Sequence, residues 1–168
     1  MTSAHSGAAR GKPSLQFFVD ENLLGLVKRL RMMGIDSSTL PGAADDAVLE
    51  VAIEENRIIL TKDRKFFERI PAGRGYFVKA DDAKDQLLEV LEQFPLQDYD
   101  EALSRCFQCN TPIQAIDKAQ VKERVDAKTY SLYEQFYECP TCLRIYWEGS
   151  HFDKMVKEVE KVRRDLSK

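Results

Sequence analysis

The stretch Leu15-Gln16-Phe17-Phe18-Val19-Asp20-Glu21-Asn22-Leu23 decides the fold. Its first five residues make a short apolar run of the length of a buried strand, and an acidic pair follows at once. From Leu23 onward, Leu26, Val27, Leu30 and Met33 recur at helical spacing until Gly34, a residue suited to ending a helix. The chain therefore begins as strand then helix.

The alternation continues outward. Ile35 to Leu40 reads as a second short strand, Pro41-Gly42 as a turn, and Ala44-Asp45-Asp46 as a helix start with acidic residues in its first turn. That helix is expected to send Val48, Leu49, Ala52 and Ile53 inward. Arg57 to Thr61 is a third strand, Lys65 to Arg69 a short helical piece, and Gly75 to Val78 a fourth strand. Leu87, Leu88, Leu91 and Phe94 line the buried face of a helix that Pro95 ends. Strands alternating with helices predict an α/β unit over residues 15–94, built on a mostly parallel sheet flanked by helices. A polar connector, 95–104, leads to a cysteine-bearing segment and a last helix within 105–168. In that helix Phe152, Met155, Val156, Val159, Val162 and Leu166 keep helical spacing behind Ser150, the expected N-cap.

Composition limits the class of protein. With 168 residues, 43% hydrophobic and 32% charged, the chain has globular rather than disordered, collagenous or coiled-coil composition. No apolar run approaches the roughly 20 residues that cross a bilayer, so no membrane is expected among its partners. The N-terminal 1–14 read as a flexible tail without the apolar core of a secretory signal, which points to an intracellular, cytoplasmic setting, with a short organellar presequence as the alternative. A net charge of −3 lacks the basic footprint of many nucleic-acid binders. That does not exclude a metal-dependent nuclease, whose own carboxylates cancel basic residues in the sum.

All four cysteines fall into two Cys-x-x-Cys pairs, Cys106/Cys109 and Cys139/Cys142, with 29 residues between them. Two such turns complete a closed, tetrahedral Cys₄ site, so structural zinc is expected, against two disulfides or a redox pair. Asn110 suits the left-handed turn that follows such a pair. Metal binding would make a segment this small foldable. The basic residues Lys118, Lys122, Arg124 and Lys128 between the pairs fit nucleic-acid binding, protein binding or mere bracing.

Asp20 follows the first strand, Asp45 opens the second helix and Asp63 closes the third strand. In open parallel sheets ligands bind outside the carboxyl ends of the strands. If the strands bearing Asp20 and Asp63 are neighbours, these carboxylates share one crevice, where Mg²⁺ or Mn²⁺ would relieve their repulsion. The alternative is local: Asp20 and Asp45 as helix caps and Asp63 as a turn residue. A phospho-receiver reading of Asp20-Glu21 lacks the strand ending in a lone phosphorylatable Asp. Lys62 and Arg64 beside Asp63 are candidates to hold substrate phosphates.

The joined pattern resembles the PIN-like domain and zinc ribbon of the Mut-seven C-terminal ribonuclease family. The resemblance rests on Phe18-Val19-Asp20-Glu21-Asn22-Leu23, Leu30-Arg31-Met32-Met33-Gly34-Ile35-Asp36, Asp45-Asp46-Ala47-Val48-Leu49 and Arg57-Ile58-Ile59-Leu60-Thr61-Lys62-Asp63. It continues through Arg105-Cys106-Phe107-Gln108-Cys109-Asn110, Tyr137-Glu138-Cys139-Pro140-Thr141-Cys142 and Tyr146-Trp147-Glu148-Gly149-Ser150-His151. It implies a PIN-type nuclease fold over 15–94, a zinc ribbon in 105–168 and metal-dependent cleavage of RNA, with Asp20, Asp45 and Asp63 in the acidic roles. Lys62 stands where the family commonly has arginine, and a fourth carboxylate is not obvious, with Asp46, Glu21 and Glu50 as candidates. The expected function is a Mg²⁺- or Mn²⁺-dependent ribonuclease acting on single-stranded RNA, with a regulatory protein as a further possible partner. The competing class is a non-catalytic adaptor whose zinc ribbon binds RNA or protein beside a vestigial nuclease domain.

Overall fold

The computed structural model describes residues 15–94 and 101–168. The expectations for the tail 1–14, for Pro95 and for most of the connector lie outside the described residues. Strand β1 (Phe17–Val19) leads through a 3-10 turn (Glu21–Leu23) into helix α1 (Leu24–Met32), followed by β2 (Ser37–Ser38) and α2 (Asp45–Glu54). Then come β3 (Ile58–Thr61), α3 (Arg64–Arg69), β4 (Gly75–Phe77) and α4 (Ala83–Gln93). These four strands pair in parallel, in the order β2-β1-β3-β4.

Alternate side chains of a strand point to opposite faces, and here both faces are covered. Phe17, Val19 and Leu60 join Leu23, Leu26, Leu30, Leu87 and Leu91 in one core beneath α1 and α4. Phe18 and Ile59 pack on the other side with Val48, Ala52 and Phe66 of α2 and α3. Two-sided burial explains why β1 reads as an unbroken apolar run. Ile53, expected inside, is 40% exposed: it lies near the end of α2, where Val48 and Ala52 already fill the contact with the sheet.

Gly34 ends α1 at φ +79°, and a Cβ there would overlap the backbone carbonyl of Glu101. This close approach, with Leu103 N–H donating to Met32 O at 2.8 Å, brings the second part of the chain onto the end of α1.

That part is a three-stranded antiparallel sheet, β5 (Gln114–Ile116), β6 (Phe136–Glu138) and β7 (Ile145–Trp147), in sequential order. A 3-10 turn (Lys118–Val121) and helix α5 (Ala127–Leu132) occupy the long excursion between the cysteine pairs. Helix α6 (Ser150–Leu166) returns to the first unit, where Val159 and Val162 enter the core beneath α1 and α4. Its N-cap is Gly149, which has no side chain to cap with, not Ser150 as expected: Ser150 is already the first helical residue. The indole of Trp147 and the hydroxyl of Tyr133 crowd the space a side chain on Gly149 would need. No helix among the described residues is long and apolar enough to cross a membrane.

Candidate active site and cysteine centre

The connection after β1 runs to β2 on one side, while the connection after β3 runs to β4 on the other. Chain direction therefore diverges between β1 and β3, and such a switch point opens a crevice at the carboxyl ends of the two strands. Asp20 and Asp63 stand at these ends. Asp20 N–H donates to Leu60 O at 2.9 Å, continuing the ladder one residue past β1. Thr61, fully buried, links the Asp20 carboxylate to the backbone of Asp63: its hydroxyl donates to Asp20 Oδ2 at 2.6 Å and accepts from Asp63 N–H at 2.9 Å.

Each aspartate also has a local duty. Asp20 accepts from Glu21 N–H at 2.7 Å and from Asn22 Nδ2 at 3.0 Å, and Asp63 caps α3 by accepting from Phe66 N–H at 3.0 Å. Oxygens that accept backbone N–H groups are held in fixed positions. Asp45 behaves differently. It sits in the first turn of α2 behind Ala44 as N-cap, and together with Asp46 it is ion-paired with Arg69 at the end of α3 (Asp45 to Arg69, 3.0 Å). Of the candidates for a fourth carboxylate, Asp46 shares this pair, Glu21 accepts from Gly42 N–H at 2.7 Å and Glu50 is exposed. The structure thus joins Asp20 to Asp63, and holds Asp45 to the far end of α3.

The two basic candidates are engaged within the chain. Lys62 Nζ donates to Ala80 O at 2.9 Å and pairs with Asp81, while the Arg64 guanidinium lies 5.0 Å from the centre of the Phe77 ring. Sequence reasoning gives Thr61 no role. Its signal was a hydroxyl residue closing an apolar strand two positions before an aspartate.

The second centre is built from two matching turns. Asn110 N–H donates to Cys106 O at 2.9 Å and Leu143 N–H to Cys139 O at 2.8 Å, with Asn110 at φ 66° and Leu143 at φ 60°. Each turn swings two thiols to one side, and all four sulfurs lie within 4.8 Å of one another. The Cys106 to Cys142 separation of 3.7 Å is close to the edge of a tetrahedron with metal–sulfur bonds of about 2.3 Å. Four cysteines in this arrangement fit a metal such as zinc and a zinc-ribbon architecture. Among the described residues they are the cluster of metal-ligating side chains that meets this spacing.

Burial pushes the Cys106 thiol up, but hydrogen bonds from the Tyr146 hydroxyl and from backbone N–H groups outweigh it and lower it to about 6. Cys109 is pushed up to about 12 by its hydrogen bond with Cys142, by burial and by the neighbouring sulfur charge. Contacts within the cluster thus favour one thiolate and disfavour a second beside it.

The first cysteine turn is clamped to the parallel sheet. Arg31, 5% exposed in α1, donates to Ser37 O (2.9 and 3.0 Å), Phe107 O (2.8 Å) and Gln108 O (2.9 Å). Asn110 accepts from Ser37 N–H at 3.0 Å and donates to Asp36 at 2.8 Å, so edge strand β2 is capped by the ribbon. Arg105 adds Gly34 O at 3.0 Å and Asn110 O at 2.8 Å. Sequence reasoning missed this clamp, although a charged residue beside Leu30 on an apolar helix was its signal. Of the basic residues between the cysteine pairs, Lys118 pairs with Glu134 and Arg124 with Glu138.

The family model described as Mut7-C RNAse domain matches residues 15–159, from β1 through the cysteine turns into α6. The chain belongs to the Mut7-C RNAse domain family. It is also 36% identical over 112 residues to the "Exonuclease mut-7 homolog" of Homo sapiens, a match covering 62% of this chain and 13% of that protein. The chain thus spans a small fraction of that relative. No solved structure matches significantly. Membership of the Mut7-C family connects the α/β unit and its cysteine ribbon with nuclease function.

Proposed function

We propose that this Mut7-C protein is a metal-dependent ribonuclease that hydrolyses RNA phosphodiester bonds, with Asp20, Asp45 and Asp63 as ligands to Mg²⁺ or Mn²⁺. The observation that carries the reading is the linkage of Asp20 to Asp63 through Thr61 at the switch point of the sheet. Divalent ions bound there would lower the pKa of water for attack on phosphorus and neutralise the developing charge. The chain's part is to hold carboxylate oxygens in place. The Asp20 carboxylate is held by Glu21 N–H and the Thr61 hydroxyl, and the Asp63 carboxylate by Phe66 N–H, which limits reorganisation on metal binding. Asp45 completes the set when it exchanges Arg69 for a cation. An exposed pair of this kind is worth about 0–1 kcal/mol, so a divalent ion competes easily.

Lys62 and Arg64 flank Asp63 and supply positive charge at the rim for substrate phosphates. The four cysteines would hold structural zinc, which keeps the ribbon folded and clamped to β2. The engagement of Asp45 by Arg69 favours the second reading, a non-catalytic adaptor in which the ribbon binds RNA or protein.

The deciding experiment is cleavage of an end-labelled single-stranded RNA by zinc-loaded protein with added Mn²⁺, with added Mg²⁺ and with neither, beside Asp20→Asn. Omitting the metal is preferable to chelation, which would also strip the cysteines. Metal-dependent cutting that Asp20→Asn loses, with its thermal stability retained, supports the ribonuclease. RNA bound but uncut by wild type supports the adaptor.

A further inference from the structure

Two concavities meet where the ribbon, α1 and α6 come together. One, of about 290 Å³, lies between the ribbon and α6 and is walled by Phe107, Ile113, Tyr137, Tyr146, Trp147 and Phe152. Its charged lining residues are Arg105 and Glu148. The other is a more open groove of about 520 Å³ along α1. Phe107 and Met155 belong to both walls, so the groove and the aromatic cavity are neighbours.

The groove differs in charge from the rest of the chain. Lys28, Arg29 and Arg144 line it against a single carboxylate, Glu158, which is paired with Arg29. Lys28 and Arg144 are exposed and have no ion pair among the described residues. Unpaired cations gathered in one groove, in a protein of net charge −3, suit a polyanion. The groove also has a direction. It starts at Gly25 and Ala83, at the first turns of α1 and α4, on the edge of the sheet where Asp20 stands. From Gly25 to Met32 it follows about 10 Å of helix toward the first cysteine turn.

We infer that this track binds a single strand of RNA, its phosphates along Lys28 and Arg144 and an unpaired base inserted in the aromatic cavity against Trp147. Stacking surfaces at the end of a basic groove are how single-stranded nucleic acid is held without sequence readout. A duplex keeps its bases stacked inside and has none to offer the cavity. The inference rests on the ribonuclease reading for its substrate, and it assigns the residues that hold the strand away from the carboxylates.

Trp147 is the sole tryptophan, so its fluorescence reports the cavity directly. The test titrates zinc-loaded protein, without Mg²⁺ or Mn²⁺, with a labelled single-stranded oligouridine and with an RNA duplex of equal length, following label anisotropy and Trp147 emission together. Binding of the single strand should quench Trp147 in step with the anisotropy, and the duplex should do neither comparably. Lys28→Gln with Arg144→Gln should weaken binding about tenfold or more and flatten the salt dependence by about 1.4 in log–log slope. Lys28→Gln alone, on α1 and away from the cysteines, guards against a disturbed ribbon and should show half that change in slope. Unchanged Trp147 emission at saturation, equal binding of duplex, or an unaltered salt slope in the neutralised variants overturns the inference. RNA cleavage with normal binding by those variants would sink the groove and leave the ribonuclease standing. Groove binding without cleavage would do the reverse.

Discussion

Thr61 donates its hydroxyl to Asp20 at 2.6 Å while accepting the amide N–H of Asp63, so one buried side chain ties the Asp20 carboxylate to the backbone of Asp63 on the neighbouring strand. Thr61→Val keeps the shape and removes both bonds. It should cost about 1–3 kcal/mol in urea unfolding and lower metal-dependent cleavage, whereas Thr61→Ser, which keeps the hydroxyl, should recover most of the activity. Wild-type stability and activity in Thr61→Val, with a loss confined to Thr61→Ser, would show that the methyl packing matters rather than the bridge.

Arg31 is a buried cation whose partners are carbonyls of β2 and of the first cysteine turn, with the sulfurs of Cys106 and Cys109 near enough to support its charge. Burial depresses its pKa, and that sulfur charge opposes the change. Arg31→Met should destabilise the protein by about 2–3 kcal/mol and speed zinc loss to a competing chelator. Arg31→Lys, a point charge without the planar fork, should fall between. Zinc release at the wild-type rate in Arg31→Met would separate the clamp from the metal centre.

Removal of zinc should be felt beyond the ribbon. Cys109→Ser is expected to lower bound zinc below one per chain by elemental analysis and to lower the midpoint of thermal unfolding of the whole chain, because the clamp on β2 loses its rigid half. Unchanged zinc content and thermal stability would refute the Cys₄ site.

Asp36 is pushed up by burial but brought below its ordinary value by hydrogen bonds from Arg57 and Asn110 and by the Arg57 and Arg105 charges. A carboxyl depressed on folding stabilises the protein fully above its unfolded value of about 3.9 and loses that contribution as pH falls toward the folded value. Stability should therefore drop as pH falls below about 4, and less steeply in Asp36→Asn. Parallel acid-unfolding curves for the two proteins would contradict this.

Leu143 and Asn110 occupy equivalent places in the two cysteine turns, both at positive φ, and Leu143 is 60% exposed. A left-handed leucine is strained and its side chain buries little in return. Leu143→Asn should stabilise the protein by about 1 kcal/mol, read as a raised thermal midpoint with unchanged zinc content.

Much of the architecture was legible in the sequence because it depends on local periodicity. The apolar run at Phe17 to Val19 marked a strand covered on both faces, and the recurrence from Leu23 to Met33 marked the buried stripe of α1. All four cysteines stood in pairs whose spacing places sulfurs on one side of a turn, and Asn110 at the left-handed position followed from the same local geometry. Periodicity reports which residues are buried and says nothing of which distant residues meet. Only the tertiary structure joined Asp20 to Asp63 through Thr61, tied Asp45 to Arg69, and brought Arg31 within reach of a turn 76 positions further along the chain. These contacts follow from strand order and from how the ribbon docks on β2, properties of the packed chain that no window of neighbouring residues contains.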